Sequence, residues 1–215
     1  MSKTLILSLV LLFSVFMSVS IAATEDAKKS QTPDVVEQNR KAMVIFEQIL
    51  DLISNSSRLS ALPKLEAGYL DIINKYPQAS VVPECYWRLE LIYLNDYNPP
   101  HIEKAEAIYG EFITKFPDST MKTLMEEPLS DRYYKNSEWD KLLKLYTPAI
   151  KQFIEKGKKP KARELFMYSE AKLNLGNLTE AEKGYKLVIS QFPESGEARE
   201  SAKRLEAIQK KGTKK

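Results

Sequence analysis

Tyr69-Leu-Asp-Ile-Ile-Asn-Lys-Tyr-Pro77 is spelled twice more with small changes, as Tyr109-Gly-Glu-Phe-Ile-Thr-Lys-Phe-Pro117 and Tyr185-Lys-Leu-Val-Ile-Ser-Gln-Phe-Pro193. The interval from Tyr109 to Tyr185 is close to twice the interval from Tyr69 to Tyr109, as if one copy between them had lost its spelling. Each copy reads as a helix with its apolar side chains on one face, stopped by an aromatic residue and a proline. A fixed period near 40 predicts an all-α fold, an α-solenoid of about four helical hairpins. In such a fold no unit covers its apolar face alone, and neighbouring units stack to do so. A surface of that kind suits binding better than catalysis.

Working outward, the first hairpin pairs a helix over Asp34–Ile53 with one that opens at Pro63 and runs to about Lys75. The second starts after Pro83, is interrupted by the loop Asn95–Pro100, and resumes over about Ile102–Lys115. The third spans Ser119–Tyr134 and Trp139–Ile154, and Pro128 is expected to kink or split its first helix. Tyr146 falls almost midway between Tyr109 and Tyr185, which completes the tyrosine series. The fourth hairpin is Lys161–Leu175 and Thr179–Gln191, turned at Gly176-Asn177. Ser195–Gln209 reads as a capping helix over the last apolar face, and residues 210–215 as a frayed basic tail.

These residues resemble tetratricopeptide repeats. Leu175-Gly176-Asn177 looks like the Leu-Gly-Asp turn of that family, and Ala181, Tyr185 and Pro193 follow at its small, aromatic and proline positions. Ala105, Tyr109 and Pro117 match in the second hairpin, and Tyr69 and Pro77 in the first, where Leu65 replaces the small residue. The third hairpin keeps only Tyr146, with Leu142 and Ile154 at the other two positions. The period exceeds the family's usual length of about 34 residues. With the aromatic-proline endings, it is similar to a secreted bacterial subfamily. That subfamily includes the tetratricopeptide lipoprotein of outer-membrane β-barrel assembly and the periplasmic Tol–Pal cell-division coordinator. The resemblance covers residues 34–209 and implies a right-handed α-solenoid that serves as a non-catalytic protein-binding scaffold in envelope assembly or maintenance.

The N-terminus points the same way. Lys3, the apolar run Leu5–Phe16 and the small residues around Ala22 and Ala23 make residues 1–23 a secretory signal peptide, followed by a polar spacer over 24–33. The expected location is the periplasm. An uncleaved membrane anchor is the rival, because Thr4–Ala23 is an uncharged run just long enough to span a bilayer. No cysteine follows the small-residue site, so lipoprotein-type lipidation is not expected. Without residues 1–22 the chain holds 31 basic against 29 acidic residues, a balance that gives no reason to invoke nucleic acid. Cys85 is the only cysteine and reads as a buried apolar residue, with intermolecular pairing as the alternative.

Residues with the means for chemistry are few. The single histidine, His101, stands between Pro100 and a helix and reads as a loop or cap residue. No phosphate loop, serine elbow or metal-spaced Cys/His set is present, so no enzyme activity, metal or cofactor is expected. Glu126-Glu127 and Glu164/Glu170 read as solvated helix faces, and Glu155–Lys161 with Arg163 as a solvated basic loop that offers proximity to anionic lipid as its functional alternative. Asn55 and Asn177 head glycosylation-type triplets that matter only on a eukaryotic secretory route. The resemblance implies a concave groove walled by the first helix of each hairpin. Here that places Trp87, Leu91, Leu94, Asp131, Tyr134, Arg163, Phe166, Glu170 and Asn174 on the groove, with Trp87 and Phe166 alternatively in the core. The expected partner is a peptide or helix of an envelope protein. The alternatives are a homo-oligomeric scaffold and an accessory subunit of an envelope enzyme.

Overall fold

A computed structural model describes residues 32–212, and among them every regular element is helical. The helices are α1 (Pro33–Asn55), α2 (Arg58–Lys75), α3 (Val82–Leu91), α4 (Ile102–Lys115), α5 (Met121–Lys135), α6 (Trp139–Lys156), α7 (Ala162–Asn174), α8 (Leu178–Gln191) and α9 (Gly196–Gly212). The chain forms two compact units, one ending at Pro100 and one beginning at His101. That boundary falls inside the loop of the expected second hairpin. The expected signal peptide and nearly all of the spacer lie outside the described residues.

The aromatic-proline stop is one turn made three times. Tyr76, Phe116 and Phe192 end α2, α4 and α8 with φ of −129°, −131° and −140° and ψ of 54°, 59° and 51°. The following proline bars these residues from helical geometry, yet each still donates its N–H to the carbonyl four residues back. Each carbonyl then accepts the N–H three residues on, from Ala79, Ser119 and Ser195. Helix α6 has no such proline. It ends instead on Gly157 in the left-handed region at φ 65°, with Lys158 N–H closing back to Gln152 O at 3.4 Å.

In the first unit, Ala42, Phe46 and Ile49 of α1 face Leu65, Tyr69 and Ile72 of α2, and all six are buried. The helices meet closely at Gly68, where a Cβ would stand 2.8 Å from Ile49 Cδ1. Side chains of α1 also hold the turn after α2, since Gln38 and Asn39 accept the N–H groups of Gln78 and Ser80 at 3.1 and 2.7 Å. The chain leaves α3 through a π-helical turn, Ile92–Asp96, pinned where Tyr93 and Tyr97 both donate to Glu66.

The second unit runs α4 to α9, with α7 and α8 packed closest. There Gly184 lies so near Ser169 that a Cβ would sit 2.0 Å from its Oγ. Gly68 and Gly184 each precede a repeat tyrosine, so the same slot sets the same close approach in both units.

Each repeat tyrosine meets a charged residue of the helix that follows its own. Arg88 approaches Tyr69, Arg163 approaches Tyr146, and Arg204 lies near Tyr185. Tyr109 instead donates to Glu126 at 2.8 Å. A buried phenol keeps its ring in the core only if its hydroxyl finds a partner. Arg88 and Arg163 reach Tyr69 and Tyr146 from the next helix, whereas Tyr109 and Tyr185 donate to Glu126 and Glu170.

Several expectations need correction. Pro63 lies inside α2, which starts earlier because the Ser57 side chain caps it. Pro128 does not split α5. Met125 and Leu129, flanking it, are both fully buried and anchor the two turns to one core face. Helix α9 continues through Gly212, so residues 210–212 extend it, with Lys210 where a cation complements the helix dipole. Glu126 and Glu170 are buried rather than solvated.

Candidate functional site

In the second unit, the C-terminal turns of α5, α7 and α9 surround a half-open cleft of about 1100 Å³. Tyr134, Glu170 and Asn174 of the expected groove come together there, joined by Trp139 at the start of α6, Leu178 and Glu182 of α8, and Arg204 and Ile208 of α9. The left-handed Ser137, at φ 58°, turns the chain between α5 and α6 and brings Trp139 back against Tyr134, with the rings edge to face at 5.4 Å.

Glu170 forms the polar floor and is 1% exposed. Its carboxylate accepts the hydroxyls of Tyr134 at 2.8 Å and Tyr185 at 2.5 Å, and the Arg204 guanidinium at 2.8 and 3.2 Å. Arg204 also donates to Tyr134 Oη at 3.2 Å. A buried carboxylate tolerates such a place only with its charge compensated and its lone pairs filled. Burial, then the hydrogen bond to Glu170, pushes both tyrosine hydroxyls above their ordinary range. The hydrogen bond to Glu170 raises the Arg204 guanidinium further. The floor is therefore a closed set of hydrogen bonds whose donors all keep their protons at neutral pH.

The other expected groove residues lie elsewhere. Asp131 and Arg163 form an ion pair at 2.7 Å, and Arg163 also donates to Ser130 Oγ at 2.9 Å. Phe166 is 9% exposed and packs its ring 6.1 Å from that of Tyr185, inside the core. Trp87, Leu91 and Leu94 belong to the first unit. Leu94 is buried there, Leu91 is half-buried, and Trp87 is half-buried beside the Arg88 guanidinium at 5.8 Å. Trp139, Glu182, Arg204 and Ile208 were not expected. Arg204 had a signal in the sequence, since it follows Tyr185 at the same spacing that separates Arg88 from Tyr69.

The basic loop is partly committed within the second unit. Lys159 donates to Gln191 O at 3.1 Å and stands 4.6 Å over the Phe192 ring, and Lys161 donates to Thr123 Oγ1. Among the described residues no cluster of three or more His, Cys, Asp or Glu is arranged to hold a metal ion. None of the described helices is long and apolar enough to cross a membrane.

Residues 165–195 match the tetratricopeptide repeat family. The match takes in most of α7, all of α8 and the aromatic-proline stop, and it supports the tetratricopeptide family for this chain. Repeats of this family are typically non-catalytic modules that mediate protein–protein interaction. No curated protein and no solved structure matches the chain. The matched repeat supplies Phe166 of the core and Glu170, Leu178 and Glu182 of the cleft, while Tyr134, Trp139, Arg204 and Ile208 lie outside the match.

Proposed function

We propose that the protein is a non-catalytic binding scaffold of the cell envelope. In this reading its hairpins stack as a right-handed solenoid capped by α9, the chain is exported to the periplasm, and the cleft holds a peptide or helix of an envelope protein. The observation that carries it is the cleft itself. Its floor is fixed by four hydrogen bonds to Glu170, while Trp139, Leu178 and Ile208 leave apolar surface around it. A wall already ordered before binding lowers the entropy lost on association. The leader-like residues 1–23 support the location.

A photo-crosslinking amino acid in place of Asn174, which is exposed at the rim, tests the reading in cells. The expected result is one dominant adduct in the envelope fraction, absent when the crosslinker replaces Glu194, which lies outside the cleft. Equal labelling from both positions, or none from either, would overturn it. A self-associating scaffold is the second reading. It rests on α1, where Val36 and Val44 are 55% and 46% exposed and Met43 stands beside them. Sedimentation that depends on concentration, and that Val44→Lys abolishes, would favour it.

A further inference from the structure

The chemistry of the cleft narrows what enters it, and the inference below rests on the binding reading above. Glu170 has no capacity left for a ligand, because two tyrosines and Arg204 fill its lone pairs. Arg204 gives its Nε and Nη2 to Glu170 and Tyr134, and the buried carboxylate balances its charge. Outside that balanced pair, the lining carries the apolar surface of Trp139, Leu178 and Ile208 and one further acid, Glu182.

Glu182 is half-buried on α8. Its ion pair within the helix, to Lys186, spans 3.8 Å, and the lysine side chain is 63% exposed. A pair that long and that exposed contributes little, so the carboxylate keeps its attraction for a second cation. Asn174 donates one Nδ2 hydrogen to the Glu170 carbonyl at 2.9 Å, which leaves its second N–H and its side-chain oxygen at the rim. The surface on offer is thus apolar with a neutral amide and one carboxylate at its edge, on a chain whose overall charge is positive.

We propose that the cleft takes an amphipathic helix that lays an aliphatic row against Trp139, Leu178 and Ile208 and extends one lysine or arginine to Glu182. Helix-in-groove recognition reads side chains at i, i+3, i+4 and i+7, and a half-open cleft of this volume admits such a face. Glu182 then sets preference and orientation, and the apolar wall supplies most of the affinity.

The test uses two fluorescein-labelled peptides with leucine at i, i+3 and i+7, each just long enough to form a helix in isolation. One carries lysine at i+4 and the other glutamate. Anisotropy gives Kd, and Trp139 emission in a Trp87→Phe background reports whether the peptide reaches the cleft. The lysine peptide is expected to bind about tenfold tighter and to shift the Trp139 emission. Glu182→Lys should abolish or invert that preference. Glu194→Lys, the same charge change away from the cleft, should leave it intact. Equal affinity for the two peptides, an equal response to both substitutions, or no change in Trp139 emission would overturn the proposal. If crosslinking from position 174 still captures one partner in that case, the binding reading stands and only the basic-helix chemistry fails.

Discussion

Tyr185 donates its hydroxyl to Glu170 across its own hairpin at 2.5 Å, so the repeat's most recurrent aromatic holds the floor of the candidate cleft. One side chain thereby joins core packing to the site. Its ring is fully buried against Phe166, and its oxygen fixes the carboxylate that Tyr134 and Arg204 share.

Tyr185→Ala should cost about 3–5 kcal/mol, the range for a buried aromatic that leaves a cavity. Tyr185→Phe removes one hydrogen bond to a charged acceptor and should cost about 1.5–3 kcal/mol. Tyr97→Ala loses a hydrogen bond to Glu66 and a stacked contact with Tyr93 at 6.3 Å, but its ring is only half-buried. It should destabilise less than Tyr185→Ala. Equal denaturation midpoints for the two alanine variants would contradict the assigned slots.

Gly184 and Gly110 form a second matched pair. A methyl group at 184 meets Ser169 Oγ at 2.0 Å and Cβ at 3.0 Å, whereas one at 110 meets nothing within 4 Å. Gly184→Ala must push α7 and α8 apart and should cost about 1–3 kcal/mol. Gly110→Ala removes a flexible residue from the interior of α4 and should stabilise by about 0.5–1 kcal/mol. Opposite shifts in melting temperature are expected. A tolerated alanine at 184 would mean that the helices approach less closely.

The helices were legible because their stops are chemical. Tyr76-Pro77, Phe116-Pro117 and Phe192-Pro193 each impose the same turn, and the expected bounds of α4 and α8 agree with the structure to within a residue. The prolines at 63 and 128 misled because a single lost hydrogen bond is outweighed by buried neighbours such as Met125 and Leu129. The groove was only partly legible. Tyr134, Glu170 and Asn174 share one end of the hairpins and line one cleft, but burial of Phe166 and Leu94 depends on which neighbouring helix covers them. Periodicity does not encode that. Nor did it show that acids at 126 and 170 would be buried, since their partners Tyr109, Tyr134 and Arg204 come from other helices.

Glu126 gives a pH signature. Burial holds its carboxyl above the ordinary value of 4.5, despite Lys122 and the Tyr109 hydroxyl, which pull it down. The folded state therefore binds this proton more tightly than the unfolded chain does. Between the ordinary value and the raised one, stability falls as pH rises, and the full cost of the ionised group is present above that window. Glu126→Gln keeps an acceptor for Tyr109 and cannot ionise. The variant should match the native protein near pH 4 and exceed its stability increasingly toward pH 7. Denaturation midpoints across that range check it, and a gap that does not change with pH would remove Glu126 as the cause.

The roles of Phe166 and Trp139 separate core from site. Phe166 is buried against Tyr185, so Phe166→Ser should lower the melting temperature by several degrees, with about 3–5 kcal/mol lost. Binding should then fall only in proportion to the folded protein lost. Trp139 is half-buried at the cleft rim, and its ring meets that of Tyr134 in a T-shaped contact. Trp139→Ser should leave helical content near native and weaken a cleft-bound peptide by about 2 kcal/mol or more, the loss typical of an aromatic anchor. Circular dichroism and titration on the same samples resolve the two effects. If Trp139→Ser melts the second unit as deeply as Phe166→Ser does, the indole belongs to the core. If affinity survives Trp139→Ser unchanged in a folded protein, the binding surface lies away from the cleft.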